Sequence, residues 1–166
     1  VGMVHRLDRP VGGVVLFAKT SKAASRLSQQ IRDRSVEKVY WAVVEGEPSK
    51  PSGTVVQWLT KDRDENLVTA HPTEVANSQK AETAYQVLKM GEYTLVEVRP
   101  KTGRPHQIRL AMASLHCPIV GDSKYGSTTP LEGSIALFAR SFIFDHPTTK
   151  ERMTITAEPE LRIFKL

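Results

Sequence analysis

The chain has 166 residues, of which 40% are hydrophobic and 25% charged, a balance that suits one packed domain and excludes a low-complexity tail or a disulfide scaffold. Lys and Arg total 23 against 18 Asp and Glu, so the formal charge of +5 favours polyanionic partners such as nucleic acid, while an aromatic content of 7% argues against a broad surface for stacking many bases. A single cysteine, Cys117, cannot form an internal disulfide; with no bilayer-length apolar run and no signal-peptide pattern at residues 1–4, the expectation is a cytoplasmic, monomeric protein without membrane contact.

In chain order, residues 14–19 form a short apolar run of β-formers and read as a strand. Thr20 or Ser21 then offers a helix N-cap, and Ala24, Leu27 and Ile31 recur at helical spacing across residues 22–33. Residues 37–45 return to strand chemistry and stop at Gly46-Glu47-Pro48. Residues 54–59 read as another strand, and residues 61–66 as a charged turn. Residues 82–88 and 93–99 suggest a hairpin around Met90-Gly91-Glu92. After a turn at residues 100–103, Pro105 suits the first position of a helix over residues 106–115, with Ile108, Ala111, Met112 and Leu115 on one face. Residues 134–144 and 152–157 complete a strand-rich end. No strand–helix–strand alternation is visible. The expected class is therefore α+β, one domain over residues 1–166, with a mixed, mainly antiparallel sheet and short flanking helices.

Three groups of residues carry chemistry. Asp8 stands before Pro10 and Gly12-Gly13, which make an irregular loop, and flanking Arg6 and Arg9 would keep it ionised and attract phosphates. Lys38 and Tyr40 share one face of a strand, where a cation and a phenol could flank a base and its phosphate. Arg104, His106, Gln107 and Arg109 crowd the start of a helix. Cations there oppose the helix dipole, which implies a compensating anion, either a buried carboxylate or a phosphate. Asp8 is the obvious carboxylate. Each group alone has a bland reading: a surface ion pair, a packed tyrosine, a cationic helix.

Taken together, Val4-His5-Arg6-Leu7-Asp8 with Gly13 and Ala18-Lys19, then Lys38-Val39-Tyr40, then Thr102-Gly103-Arg104 with His106-Gln107-Ile108-Arg109, then Gly121-Asp122 and Tyr125-Gly126, resemble the signatures of the RluA-type pseudouridine synthases. The resemblance implies isomerisation of uridine in structured RNA, ribosomal or transfer, with no cofactor. It implies Asp8 as the catalytic residue, Tyr40 against the target uracil, Arg109 paired with Asp8, and Arg104 on the RNA backbone. It also implies Leu137 as an aliphatic contact to the base, and Arg6 as a candidate to fill the vacated stack. Tyr40 could relay the proton lost from C5, although a phenol pKa near ~10 makes a poor base unless its surroundings lower it. Arg9, Lys38, His106 and Gln107 join the expected RNA contacts. The chain departs from the pattern at Val11-Gly12, where Thr-Ser is usual, and at Ala111 and Phe138, where histidine is common.

No Cys-x-x-Cys, no glycine-rich phosphate loop and no zinc spacing among His5, His71, His106, His116 and His146 is present, so neither a metal nor a cofactor is expected. Family members carry a further strand-bearing segment before the first signature, so the sheet is expected to lack a strand and to show an open edge. The rival readings are an RNA-binding protein with a vestigial pocket, and a carboxylate hydrolase. The second needs another acid. Asp122 is the candidate, in a Gly-Asp setting that reads as a turn.

Overall fold

A computed structural model describes residues 1–165. Its centre is an eight-stranded sheet. Seven strands run in the order β10 (Arg152–Thr156), β9 (Leu137–Asp145), β4 (Glu37–Glu45), β8 (Tyr93–Pro100), β7 (Gln79–Lys89), β5 (Ser52–Asp62) and β6 (Leu67–His71), each antiparallel to its neighbours. The eighth, β2 (Gly12–Gly13), pairs parallel with β9. A separate two-stranded ribbon joins β1 (Gly2–Met3) to β3 (Phe17–Ala18). The mixed, mainly antiparallel sheet expected from the sequence is thus what forms, with β10 and β6 at its margins.

The strands form where patterning demands them. On β7, Ala81, Thr83 and Tyr85 are buried, with less buried residues between them, the period-two signature of a sheet with one face packed. On β4, Ala42, Val43 and Val44 are all fully buried, because this strand is covered on both faces. The helix α2 (Gln107–Ser114) closes one face with the segment Ile119–Val120, joining Met112, Val96 and Val98 in the main core. The helix α1 (Ser21–Arg32), capped by the Thr20 hydroxyl accepting from Ala23 N–H, packs Leu27 into a second cluster with Phe142 and Phe144. Among the described residues, no helix is long and apolar enough to cross a membrane.

Three local expectations change. The strand expected at residues 14–19 shrinks to β3. Val14 N–H still bonds to Ala139 of β9, but Leu16 N–H is claimed by the His5 imidazole and the chain peels away. Pro105 lies in the turn before α2 and not in its first position; His106 is the N-cap, in left-handed backbone at φ 58°. The strand β6 was not expected. It is five residues long and follows a charged run, whose turn closes when the Asp62 carboxylate accepts from Asp64 and Glu65 N–H.

The loop carrying Asp8 depends on Gly13. Its φ is +122°, and a Cβ there would fall on the backbone of Ala139, which is the β2–β9 pairing itself. Gly12 is different, since a Cβ there meets only the Phe138 ring at 3.7 Å. Gly13→Ala is therefore expected to cost about 3 kcal/mol of stability in urea denaturation, and Gly12→Ser less than about 1 kcal/mol.

Candidate active site

Asp8 hangs between two anchors. Upstream, the His5 ring stacks on Phe142 of β9, with centroids 4.6 Å apart, and its Nε2 accepts from Leu16 N–H at 2.9 Å. Downstream, Val11 N–H donates back to the Asp8 carbonyl at 2.9 Å, and β2 then docks on β9. The carboxylate is left half-buried beside the central strands. Burial, then the nearby Lys38 charge, depress the His5 pKa to about 4, so the anchoring ring is neutral at physiological pH and its Nε2 is free to accept.

Lys38 and Tyr40 project from β4 into the same cleft as Asp8. Burial pushes the Tyr40 phenol up to about 12, and the negative charge of Asp8 adds to the effect. The expectation that Tyr40 relays a proton is corrected by this: its surroundings raise the pKa where a resting-state base would need it lowered. With its pKa raised in this way, the phenol keeps its proton near neutral pH. Burial lowers the Lys38 pKa.

Arg109 also corrects an expectation. Its hydrogen bonds go to Asp122 and not to Asp8. Nε donates to Oδ2 at 2.9 Å and Nη2 to Oδ1 at 2.7 Å, a bidentate pair in which Arg109 is 7% exposed and Asp122 1%. The physical reason is proximity along the chain: the Gly121-Asp122 turn folds the acid back under the helix that bears Arg109, whereas Asp8 sits on a loop across the cleft. The Tyr125 ring lies under the guanidinium, 5.0 Å from centroid to Cζ. Burial works against the charge on Arg109, but the Asp122 bonds outweigh it and hold the pKa above its ordinary value. Asp8 contributes to that rise as a nearby charge without touching. With both oxygens committed and almost no exposure, Asp122 is unavailable as a second catalytic acid, which removes the hydrolase reading.

The turn before α2 is built by Gln107. Its Oε1 accepts from the Thr102 hydroxyl at 2.6 Å and from Arg104 N–H at 3.1 Å, while Nε2 donates to the Glu82 carbonyl and the Thr83 hydroxyl. It is 4% exposed. The expected RNA contact at Gln107 is therefore corrected to a bracket that fixes the turn to β7. The His106 Nδ1 lies 2.6 Å from the Tyr125 hydroxyl, which also accepts from Val68 N–H on β6 at 3.3 Å. Burial, then the charge of Arg109, lower the His106 pKa. The Arg104 Nε donates to the Lys80 carbonyl, leaving its outer nitrogens toward solvent.

These side chains surround one cleft of about 920 Å³. Asp8, Tyr40, Arg109 and Leu137 line it, and so do Arg6, Arg9, Lys38, Arg104, His106 and Gln107. The cleft is also lined by Lys61 and Asn66, which lie far from any motif core, and by Lys124, next to Tyr125, none of which was named from the sequence. The sequence also missed the supporting roles of His5, Asp122 and Tyr125. All three stand inside the motif strings, which was the available signal. The wall carries seven lysines and arginines and one carboxylate, Asp8. Such a cleft attracts a polyanion and holds one acid among cations.

Comparison with known proteins matches residues 1–114 to the RNA pseudouridylate synthase family. The chain belongs to that family. A ribosomal large subunit pseudouridine synthase D of Borreliella burgdorferi is 37% identical, covering 85% of this chain and 43% of that protein. A tRNA pseudouridine synthase C of Haemophilus ducreyi is 37% identical, covering 93% and 70%. The chain spans about half the length of most of the curated relatives it matches. The solved structure of human RNA Pseudouridylate Synthase Domain Containing 4 superposes with a TM-score of 0.82 at 27% identity, over 99% of this chain and 73% of that one. The sheet order and cleft described above are thus the framework of an RluA-type pseudouridylate synthase.

Two measurements check the electrostatics of this site. Asp122→Ala strands a buried guanidinium and is expected to cost about 3–5 kcal/mol in denaturation, more than removal of any exposed ion pair here. The folded-state pKa of His5, about 4, lies below its ordinary 6.5, so the folded protein binds fewer protons between those values. Stability is fully present above pH 6.5 and declines as pH falls toward about 4. The loss should be on the order of 1–2 kcal/mol once solvent screening of the partly exposed ring is allowed for. His106 acts in the same direction, so His5→Phe should flatten part of the slope without abolishing it.

Proposed function

We propose that the protein is an RNA pseudouridine synthase, isomerising particular uridines of structured ribosomal or transfer RNA, with Asp8 as the catalytic residue. The observation that carries this reading is the convergence of Asp8, Tyr40, Arg109 and Leu137 on one cation-lined cleft, although they come from four separate segments of the chain. The family membership supports the same chemistry. The departure at Val11-Gly12 leaves the anchorage of the Asp8 loop intact, since Gly13 still pairs with Ala139. That weighs against a vestigial pocket. Cys117 is a free, buried thiol, which fits the reducing cytoplasm where such RNA resides.

In the proposed reaction the target nucleotide leaves its stack and enters the cleft, and Arg6, exposed at the mouth, fills the gap. The Asp8 carboxylate acts on the ribose, either attacking C1′ or removing the C2′ proton. The C1′–N1 bond breaks, and the detached uracil turns between Tyr40 and Leu137. C1′ then bonds to C5, the C5 hydrogen departs as a proton, and N1 ends with a proton. Atoms and oxidation state balance without a cofactor. Arg109, locked by Asp122, presents a fixed positive charge toward Asp8. The outer cations take the phosphates, together with Lys38, whose pKa burial lowers.

Turnover is measurable as tritium released from RNA labelled at uridine C5. Asp8→Asn should lower it by at least about 1,000-fold while RNA affinity changes less than about threefold. Tyr40→Phe should lower it by about 10- to 100-fold without changing the shape of the pH–rate profile from about pH 6 to 9, because the phenol is neutral throughout that range. Full turnover by the Asn variant of the natural full-length protein would end the proposal.

A further inference from the structure

Beside the cleft lies a second hollow of about 490 Å³ that none of the motifs explains. It sits where the cross-strand pair Leu59 and Gln79 meets the turn before α2. Lys61, Arg104 and Pro105 line both hollows, so the two share a wall. Its chemistry is sorted. Pro105 supplies exposed apolar surface over a floor formed by the buried Leu59 and Val68, Lys61, Arg63 and Arg104 supply positive charge, and Asn77 and Gln79 supply side-chain amides.

Three observations mark it as a receptor and not a packing gap. No carboxylate lines it; the acids of the neighbouring hairpin, Asp62, Asp64 and Glu65, lie outside its wall. Among the described residues, neither the Lys61 nor the Arg63 side chain is paired with an acid, and the Asn77 and Gln79 amides make no hydrogen bond to protein. Asn77 is also held in place. Its backbone is left-handed, at φ 61°, inside a turn closed by Val75 N–H donating to the Ser78 hydroxyl and that hydroxyl donating to the Val75 carbonyl. Free amides on a fixed turn at the rim, an apolar floor and a group of cations are the parts that bind a base edge, a base face and a phosphate.

We propose that this hollow is a second nucleotide subsite, taking one unpaired nucleotide next to the target uridine. Its base rests against Leu59, Val68 and Pro105. Its edge is read by Asn77 and Gln79, the phosphate that joins it to the target passes between Lys61 and Arg104, and the phosphate on its other side meets Arg63. The volume lies within the range of small-ligand pockets and suits one nucleotide, not a duplex. This rests on the RNA reading above and deepens it: choice among uridines is made partly by the neighbouring base, outside the catalytic cleft. The His106–Tyr125–Val68 hydrogen bonds tie the wall of the hollow to the start of α2, so the two sites are held in fixed register.

The test uses the natural full-length protein in two arms. In the first, fluorescence anisotropy follows single-stranded nine-nucleotide RNAs with one central uridine and each of the four bases in turn on either side. Arg63→Ala should weaken every RNA about five- to tenfold and reduce the slope of log affinity against log salt by about 0.7, the share of one phosphate contact on a single strand. Asn77→Ala with Gln79→Ala should leave the salt slope unchanged and level the differences among flanking bases. In the second arm, tritium release from unmodified ribosomal and transfer RNA transcripts should show KM raised and kcat within about twofold for both variants. An unchanged salt slope in Arg63→Ala, or flanking-base preferences that survive loss of both amides, would overturn the subsite. Wild-type protein that binds with these preferences but releases no tritium would sink the catalytic reading and leave the subsite standing.

Discussion

Arg109 carries a charge that the fold has taken almost wholly out of water, and the arrangement around it follows from the need to keep that charge paired. Asp122 meets it edge to edge, the Tyr125 ring supports it from below, and burial of the Arg109–Asp122 pair holds the Gly121–Tyr125 turn tightly under α2. An isolated cation in that position would cost several kcal/mol. Paired, it becomes a fixed electrostatic post at the floor of the cleft. The Tyr125 hydroxyl then passes the constraint outward, to His106 at the cap of α2 and to the backbone of β6. A single buried ion pair thereby sets the position of the helix start, the turn after it and one hairpin.

Asp8 is managed in the opposite way. It lies on a loop with little structure of its own, pinned at one end by a neutral imidazole stacked on Phe142 and at the other by two glycines laid along β9. Placing the acid on a clamped loop, and the guanidinium on a rigid helix, lets them approach across open space without forming a closed pair. Asp8 is felt electrostatically by Tyr40, His106 and Arg109, yet it remains partly open to the cleft. With seven cations and one acid on the wall, the cleft carries a field that favours polyanions and a single carboxylate among its charges.

The strands were legible wherever a pattern of sufficient length faced one environment. Residues 37–45 were bounded without error, because β4 carries an unbroken run of apolar and β-forming residues from Val39 to Val44 and ends at Gly46 and Pro48. The hairpin of β7 and β8 was found but cut short at residue 82, since Gln79, Lys80 and Ala81 carry no strand signal until their partners on β5 are known. The strand β6 escaped because five residues behind a charged turn show too few periods to register. The N-terminal strand was overdrawn, because no propensity could reveal that an imidazole eleven residues back would take the Leu16 amide.

The site divides along the same line. Residue types and their spacing in the chain determined which side chains had unusual work: an acid in a proline–glycine loop, a lysine and a phenol on one strand face, cations at the wrong end of a helix. The sequence also implied that those cations required an anion. Which anion was decided only in three dimensions, where a reversing turn put Asp122 beneath Arg109 and left Asp8 across the gap. The pKa of Tyr40 was likewise beyond reach, since it depends on burial against segments distant in sequence. Local chemistry sets what a side chain can do, and the partners that long-range packing brings against it decide which of those possibilities survives desolvation.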